Sequence, residues 1–139
     1  MQAGYVQLVS STVGAADYLV TGLNAGTTYY FKVKAKNEVG SSSLSTGQGF
    51  IAGSIPSPPL FLTLLTQNRF MIQFQWTAPS SNGGVSLTAY KIYWDSGSGS
   101  ADLSSFTLEK TLSTSSSSYT KSSDLTAGVE YQFYVVAAN

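Results

Sequence analysis

Residues 125–139 read LTAGVEYQFYVVAAN, and residues 23–37 read LNAGTTYYFKVKAKN. The two stretches align without a gap at a constant offset of 102 positions, from 23 to 125, about the length of one small β domain. Leu23, Ala25, Gly26, Tyr29, Phe31, Val33, Ala35 and Asn37 recur as Leu125, Ala127, Gly128, Tyr131, Phe133, Val135, Ala137 and Asn139. From Tyr131 onward the shared residues fall at every second position, the period of a strand with one buried face. The glycine ahead of each tyrosine supplies a sharp turn into that strand.

A chain of 139 residues is too short for two whole copies of such a repeat, so the expectation is that at least one copy is incomplete. Hydrophobic residues make up 42% and aromatics 13%, enough for a packed core and against wholesale disorder. Seven basic and seven acidic residues give a net charge of zero, which argues against nucleic acid or an anionic membrane as an electrostatic partner. No apolar run approaches the ~18 residues that cross a bilayer, so membrane insertion is not expected. No stretch at the start reads as a signal peptide. Cysteine is absent, which excludes a disulfide framework and thiolate metal sites.

The repeated corner and strand resemble the E–F corner and strand F of a fibronectin type III module, with its pattern Leu-x-x-Gly-x-x-Tyr-x-Phe-x-Val-x-Ala-x-Asn. The resemblance implies an all-β, immunoglobulin-like β-sandwich, present here as one partial and one nearly complete module. Residues 1–53 are expected to be the C-terminal part of a first module. In it 5–13 would form strand C′, 18–23 strand E, 29–36 strand F and 44–52 strand G. Residues 54–57, within the proline-containing stretch 52–59, form the linker, an extended and semi-rigid spacer. Residues 58–139 are the second module without its last strand. Its strand A runs through Leu60, Leu62 and Leu64, strand B over 69–76, strand C over 90–94, strand C′ over 106–112, strand E over 119–125 and strand F from Tyr131.

Strand alternation places Trp76, Tyr90, Ile92, Leu125, Tyr131, Phe133 and Val135 on one face as the core of 58–139. The resemblance assigns the hydroxyls of Tyr29 and Tyr131 to the corner backbone, a folding role. In the first copy Leu23, Phe31 and Val33 have no opposing sheet to cover them.

Little in the chain suggests chemistry. Histidine is also absent, which removes the commonest general base along with most transition-metal ligands. The acids Asp17, Glu38, Asp95, Asp102, Glu109, Asp124 and Glu130 are scattered over strand ends and turns, with no spacing that suggests a catalytic pair. The segment DSGSGSAD, 95–102, offers two carboxylates seven residues apart with serines between, too sparse for a calcium loop, and it lacks the lysine and helix of a phosphate loop. It reads as a solvated hairpin loop. No cofactor or metal is expected, and the chain is not expected to be an enzyme.

Two outward faces differ. Lys32, Lys34 and Lys36 on the first strand F read as a solvated face. Their counterparts are Tyr134, Val136 and Ala138, and with Tyr93 on strand C they leave Tyr93, Tyr134 and Val136 as a candidate partner surface. The expected function is a non-catalytic structural or adhesive spacer in a larger surface, extracellular or filament protein. The alternative is a protein- or glycan-binding module that uses the B–C and F–G loops or the outer C–F face. A cytoskeletal or ciliary location is the intracellular variant. Partners would be proteins, namely neighbouring modules or copies of the chain, because strand F of the second copy has an open edge that an outside strand, such as 44–52 of another copy, would pair.

Overall fold

The computed structural model describes residues 4–8, 14 and 17–139. Eight strands follow in chain order: β1 (Thr28–Phe31), β2 (Gln48–Ile51), β3 (Leu60–Asn68), β4 (Met71–Thr77), β5 (Ala89–Trp94), β6 (Thr107–Leu112), β7 (Ser118–Lys121) and β8 (Phe133–Ala138). One 3₁₀ turn at Leu103–Ser105 is the only helical element among the described residues. All strand pairings are antiparallel. They build a hairpin β1–β2, a sheet β3–β4–β7 and a sheet β6–β5–β8.

The two three-stranded sheets face each other as a sandwich. In β4, MIQFQWT, every second residue is apolar and points inward, and Phe74 and Trp76 are buried. In β5, AYKIYW, Tyr90, Ile92 and Trp94 are buried in strict alternation. Phe74 lies 4.9 Å from Phe133 of β8, and Trp76 meets Tyr90 edge-on at 5.4 Å, ring centroid to centroid. These tilted aromatic pairs bridge the sheets and contribute beyond area burial alone.

Three expected strands are shorter than their sequence pattern, for local reasons. The stretch 29–36 keeps regular pairing only through Phe31, because serine hydroxyls then take the place of backbone acceptors, although the Ser45 and Ser42 N–H groups still donate to Val33 O and Ala35 O. The Val33 and Ala35 N–H groups donate to Ser45 Oγ and Ser42 Oγ. The stretch 119–125 stops at Lys121, since Asp124 turns the chain with φ of +58°. β8 begins at Phe133 because the Gln132 N–H donates to the Asp95 carboxylate.

Other expectations need correcting. Residues 18–23 form no strand, and no described residue pairs with them. The expected C′ strand at 5–13 is absent over 5–8, and 9–13 lie outside the described residues. Arg69 sits in the hairpin turn ahead of β4, where Asn68 Oδ1 accepts from the Phe70 and Met71 N–H groups. Simple alternation fails in β3, whose register shifts between Leu60 and Thr63 and again between Leu64 and Thr66. Phe61 stands there at φ +50°, and all nine residues of β3 are exposed. Such irregularities blunt an edge strand.

Residues 44–52 contribute β2, which pairs with β1 of their own copy, Tyr29 opposite Phe50 and Phe31 opposite Gln48. Among the described residues β8 pairs with β5 alone.

Candidate functional site

The residues singled out as core separate into two groups. Trp76, Tyr90 and Ile92 are buried. Leu125, Tyr131, Phe133 and Val135 are half-buried, and Phe133 and Val135 pack against the central cluster. Phe74 and Ala137 complete that cluster, on the inward positions that alternation gives them. The Trp76 indole Nε1 is buried without a hydrogen-bond partner among the described residues.

Both corners are built alike. The Thr126 N–H donates to Tyr131 Oη at 2.7 Å, and the Asn24 N–H donates to Tyr29 Oη at 2.9 Å, the same bond 102 positions earlier. Gly26 and Gly128 both sit at positive φ, +78° and +82°, as the turn requires. Both tyrosine hydroxyls hold the backbone of their own corner.

The loop 95–102 is not simply solvated. Asp95 is 1% exposed, and its carboxylate accepts from the Gly97, Gly99 and Gln132 N–H groups, each at 3.0 Å. Burial works against its charge, but those backbone donors outweigh it and hold the carboxyl below its usual range. Asp95 therefore ties the loop to strand β8, and its oxygens are already occupied. Asp102 instead caps the 3₁₀ turn by accepting from the Ser104 N–H. Among the described residues no group of three or more acids, histidines or cysteines stands close enough to hold a metal.

A second buried charge escaped sequence reasoning. Lys121 is 2% exposed, and its Nζ donates to Glu109 at 2.9 Å and to Asp124 at 3.2 Å. It also stands 3.9 Å above the Trp94 ring, and Tyr119 Oη donates to the same Glu109 oxygen at 2.7 Å. Lys121 and Tyr119 come from β7 in one sheet, Glu109 and Trp94 from β6 and β5 in the other, so the cluster fastens the sheets together. The signal was present: Tyr119 and Lys121 are two apart on a strand and share a face.

Burial lowers the Lys121 pKa, but its two carboxylate partners outweigh this and hold it above its ordinary value. Burial and the Glu109 carboxylate together push the Tyr119 phenol far up. Burial opposes the charge on Glu109 too, yet the bonds from Lys121 and Tyr119 keep its carboxyl low. An ammonium held protonated, a phenol held neutral and a carboxylate held ionised are poor acid–base reagents near neutral pH. The cluster suits anchoring.

The outer face of the sheet β6–β5–β8 brings Tyr93, Tyr134 and Val136 together. Tyr93 lies directly opposite Tyr134, and Val136 opposite Lys91. Tyr134 and Val136 are 41% and 45% exposed, and Tyr93 is half-buried. Phe106 packs on Tyr134 at 4.6 Å, and exposed Leu108 sits opposite Tyr93, two members that the sequence reading left out. On the first copy Lys32 lies over the Tyr5 ring at 4.7 Å, while Lys34 and Lys36 are exposed.

Two open concavities stand out among the described residues. One open hollow is formed by the turn residues 35–42. A groove of about 370 Å³ opens between β3 and β8, lined by Leu62, Leu64, Phe74, Tyr131 and Phe133 among others. Neither includes 82–85, the B–C loop that a loop-based binding site would use. No helix of the described residues is long and apolar enough to cross a membrane.

With this geometry in view, known proteins offer a frame. Residues 57–139 match the fibronectin type III domain. A Kelch domain-containing protein of Saccharolobus solfataricus is 37% identical over 75 residues, covering 54% of this chain and 10% of that protein. The striated-muscle M-protein of Gallus gallus is 32% identical over 134 residues, covering 88% of this chain and 8% of its own length. The chain thus spans a tenth or less of these relatives. A crystal structure of consecutive titin domains superposes with a TM-score of 0.61 at 22% identity, over 85% of this chain and 37% of that one, a likeness of fold. The corner, the buried tryptophan and the two facing sheets together agree with this match: the chain belongs to the fibronectin type III domain family.

Proposed function

We propose that the chain is a non-catalytic structural or adhesive spacer within a larger multi-domain surface, extracellular or filament protein. The observation that carries this reading is the backbone tie between the linker and the B–C loop of the second module. Its B–C loop, where a ligand would be taken, is met by the linker and by the corner of the preceding copy: the Ser54 N–H donates to Gly83 O at 2.8 Å and Gly83 is buried, while Ser81, Asn82 and Gly84 beside it stay exposed. Ligand sites are rich in aromatic side chains, and residues 80–85 of this loop carry none. The charged groups at 95, 109 and 121 all serve as fasteners.

A second reading is favoured by the outer face with Tyr93, Tyr134 and Val136. Tyrosines flanked by Phe106 and Leu108 form the kind of apolar patch that a protein partner, or a glycan stacking on aromatics, would cover. The two readings separate in the parent protein. Exchanging 58–139 for an unrelated sandwich of matched length should preserve function if the module only holds distance. Loss of function on exchange, reproduced by Tyr93→Ser with Tyr134→Ser, would instead establish the binding face.

A further inference from the structure

We infer that the junction between the two copies is a locked joint, in which the B–C loop of the second module is the socket for the corner of the first. The inference rests on the spacer reading for its purpose but not for its geometry. Hydrogen bonds run along the whole junction. The Gly26 N–H donates to Ala52 O at 2.7 Å and the Ala52 N–H to Thr27 O at 3.0 Å, fastening the start of the linker to the first corner. Two residues later the Ser54 N–H donates to Gly83 O, and the Ser57 N–H donates to Ser81 O at 2.9 Å. The Ser81 N–H returns a bond to Ser57 Oγ at 3.0 Å. The linker therefore runs as a strip along residues 81–83, held on the second module at both ends.

Close backbone approach makes the joint specific. A Cβ on Gly84 would collide with the Gly26 backbone and come within 3.0 Å of the Ala25 carbonyl carbon. One on Gly83 would run into Ser54 O, and one on Gly53 would stand 2.7 Å from Val85 Cγ2. Gly83 and Gly84 also hold φ values of +73° and +83°, which favour glycine twice over. The pair lets two backbones touch with no side chain between them, so no sliding layer is present.

The repeat itself supplies a clamp. Asn139 occupies the place of Asn37 in the pattern. The Oδ1 of Asn37 accepts from the Val39 and Gly40 N–H groups and closes its own turn. The opposite end of the Asn139 amide, Nδ2, donates to Ser54 O and Asn82 O, both at 2.8 Å. One amide thereby joins the linker, the B–C loop and the end of β8. The two tasks use different atoms of the side chain and are compatible in a single residue.

The absence of native cysteine makes the test clean, since two introduced thiols are the only labelling sites. Spin labels at Glu38→Cys and Thr114→Cys, on exposed positions of the two copies, report the distance across the joint in the full chain. A single narrow distance distribution is expected. Gly84→Val should broaden it several-fold, and Asn139→Ala should broaden it less, with the blue-shifted emission of the buried Trp76 and Trp94 confirming that 58–139 stays folded. Should Gly84→Val unfold the module, Asn139→Ala decides alone. A broad distribution in the doubly labelled parent, or a narrow one that neither substitution changes, overturns the joint. A broad result leaves the spacer reading standing as a flexible spacer, whereas a failed module exchange defeats that reading even with a narrow joint.

Discussion

Val33 and Val135 hold the same place in the same fifteen-residue pattern, yet Val33 is 72% exposed and Val135 packs against the core. Ala35 and Ala137 repeat the contrast: the first is exposed and the second 7% exposed. The corners, by comparison, are the same in both copies, down to the tyrosine bond. Contacts within a few residues of each other form wherever the sequence recurs. Contacts between sheets form only where a second sheet is present, and β1–β2 has none among the described residues.

The largest test of this contrast removes the centre of the second copy's core. Trp76→Ala should destabilise 58–139 by roughly 3–5 kcal/mol, as loss of a large core aromatic does. Urea unfolding followed by Trp94 emission measures it. A loss below about 1 kcal/mol would mean that Trp76 does not organise the sandwich. Trp76→Phe is expected to cost much less, since it keeps a ring and removes the unpartnered indole N–H.

Next comes the cross-sheet ion cluster, which has no counterpart among the described residues of the first copy. Lys121→Met leaves the Glu109 carboxylate, 18% exposed, without its cation and should cost about 3 kcal/mol. Adding Glu109→Gln should recover part of the loss, because the stranded charge is removed. The pH dependence has a definite sign. The folded pKa of Glu109 is depressed, so its contribution is fully present above its unfolded value, about 4.3, and fades as pH falls through the folded value. The folded pKa of Lys121 is raised, so its contribution holds below about 10.4 and fades as pH rises past the folded value. Denaturant midpoints between pH 2 and 6 should show a shallower acid limb in the double variant than in the parent. Equal limbs would place the acid sensitivity elsewhere.

A matched pair sharpens the comparison. Val135→Ala should cost about 1–2 kcal/mol for its half-buried methyls, and Val33→Ala no more than about 0.5 kcal/mol. Equal effects would mean that the first copy has a covered face after all.

The smallest effect concerns the shared corner. Tyr131→Phe removes one hydroxyl that accepts a backbone N–H and should cost about 1 kcal/mol in the tryptophan-reported transition. Tyr29→Phe removes the equivalent bond but should leave that transition unmoved, since both tryptophans lie in the second copy. Amide exchange at Asn24 should nonetheless quicken in Tyr29→Phe. An unchanged rate would remove the local corner from the argument.

The repeated fifteen-residue pattern was enough to show the family and the corner, and the alternation within 69–76 and 90–94 showed the inward faces of β4 and β5. Such features depend on spacing along the chain, and a period of two is legible without coordinates. The lengths of β1, β7 and β8 were not legible, because serine hydroxyls, a turn at Asp124 and the Asp95 carboxylate intercept the ladder at each end. Burial of Asp95 and Lys121 ran against composition, which places such residues outside unless partners appear. Beside local partners at Gly97, Gly99 and Asp124, each needs a distant one, 37 residues away at Gln132 and 12 away at Glu109. Likewise the linker's prolines announced an extended path but not the surface it lies on. Local chemistry sets the turns and the alternation; which charge finds a partner, and which loop is covered, is decided only when distant segments meet.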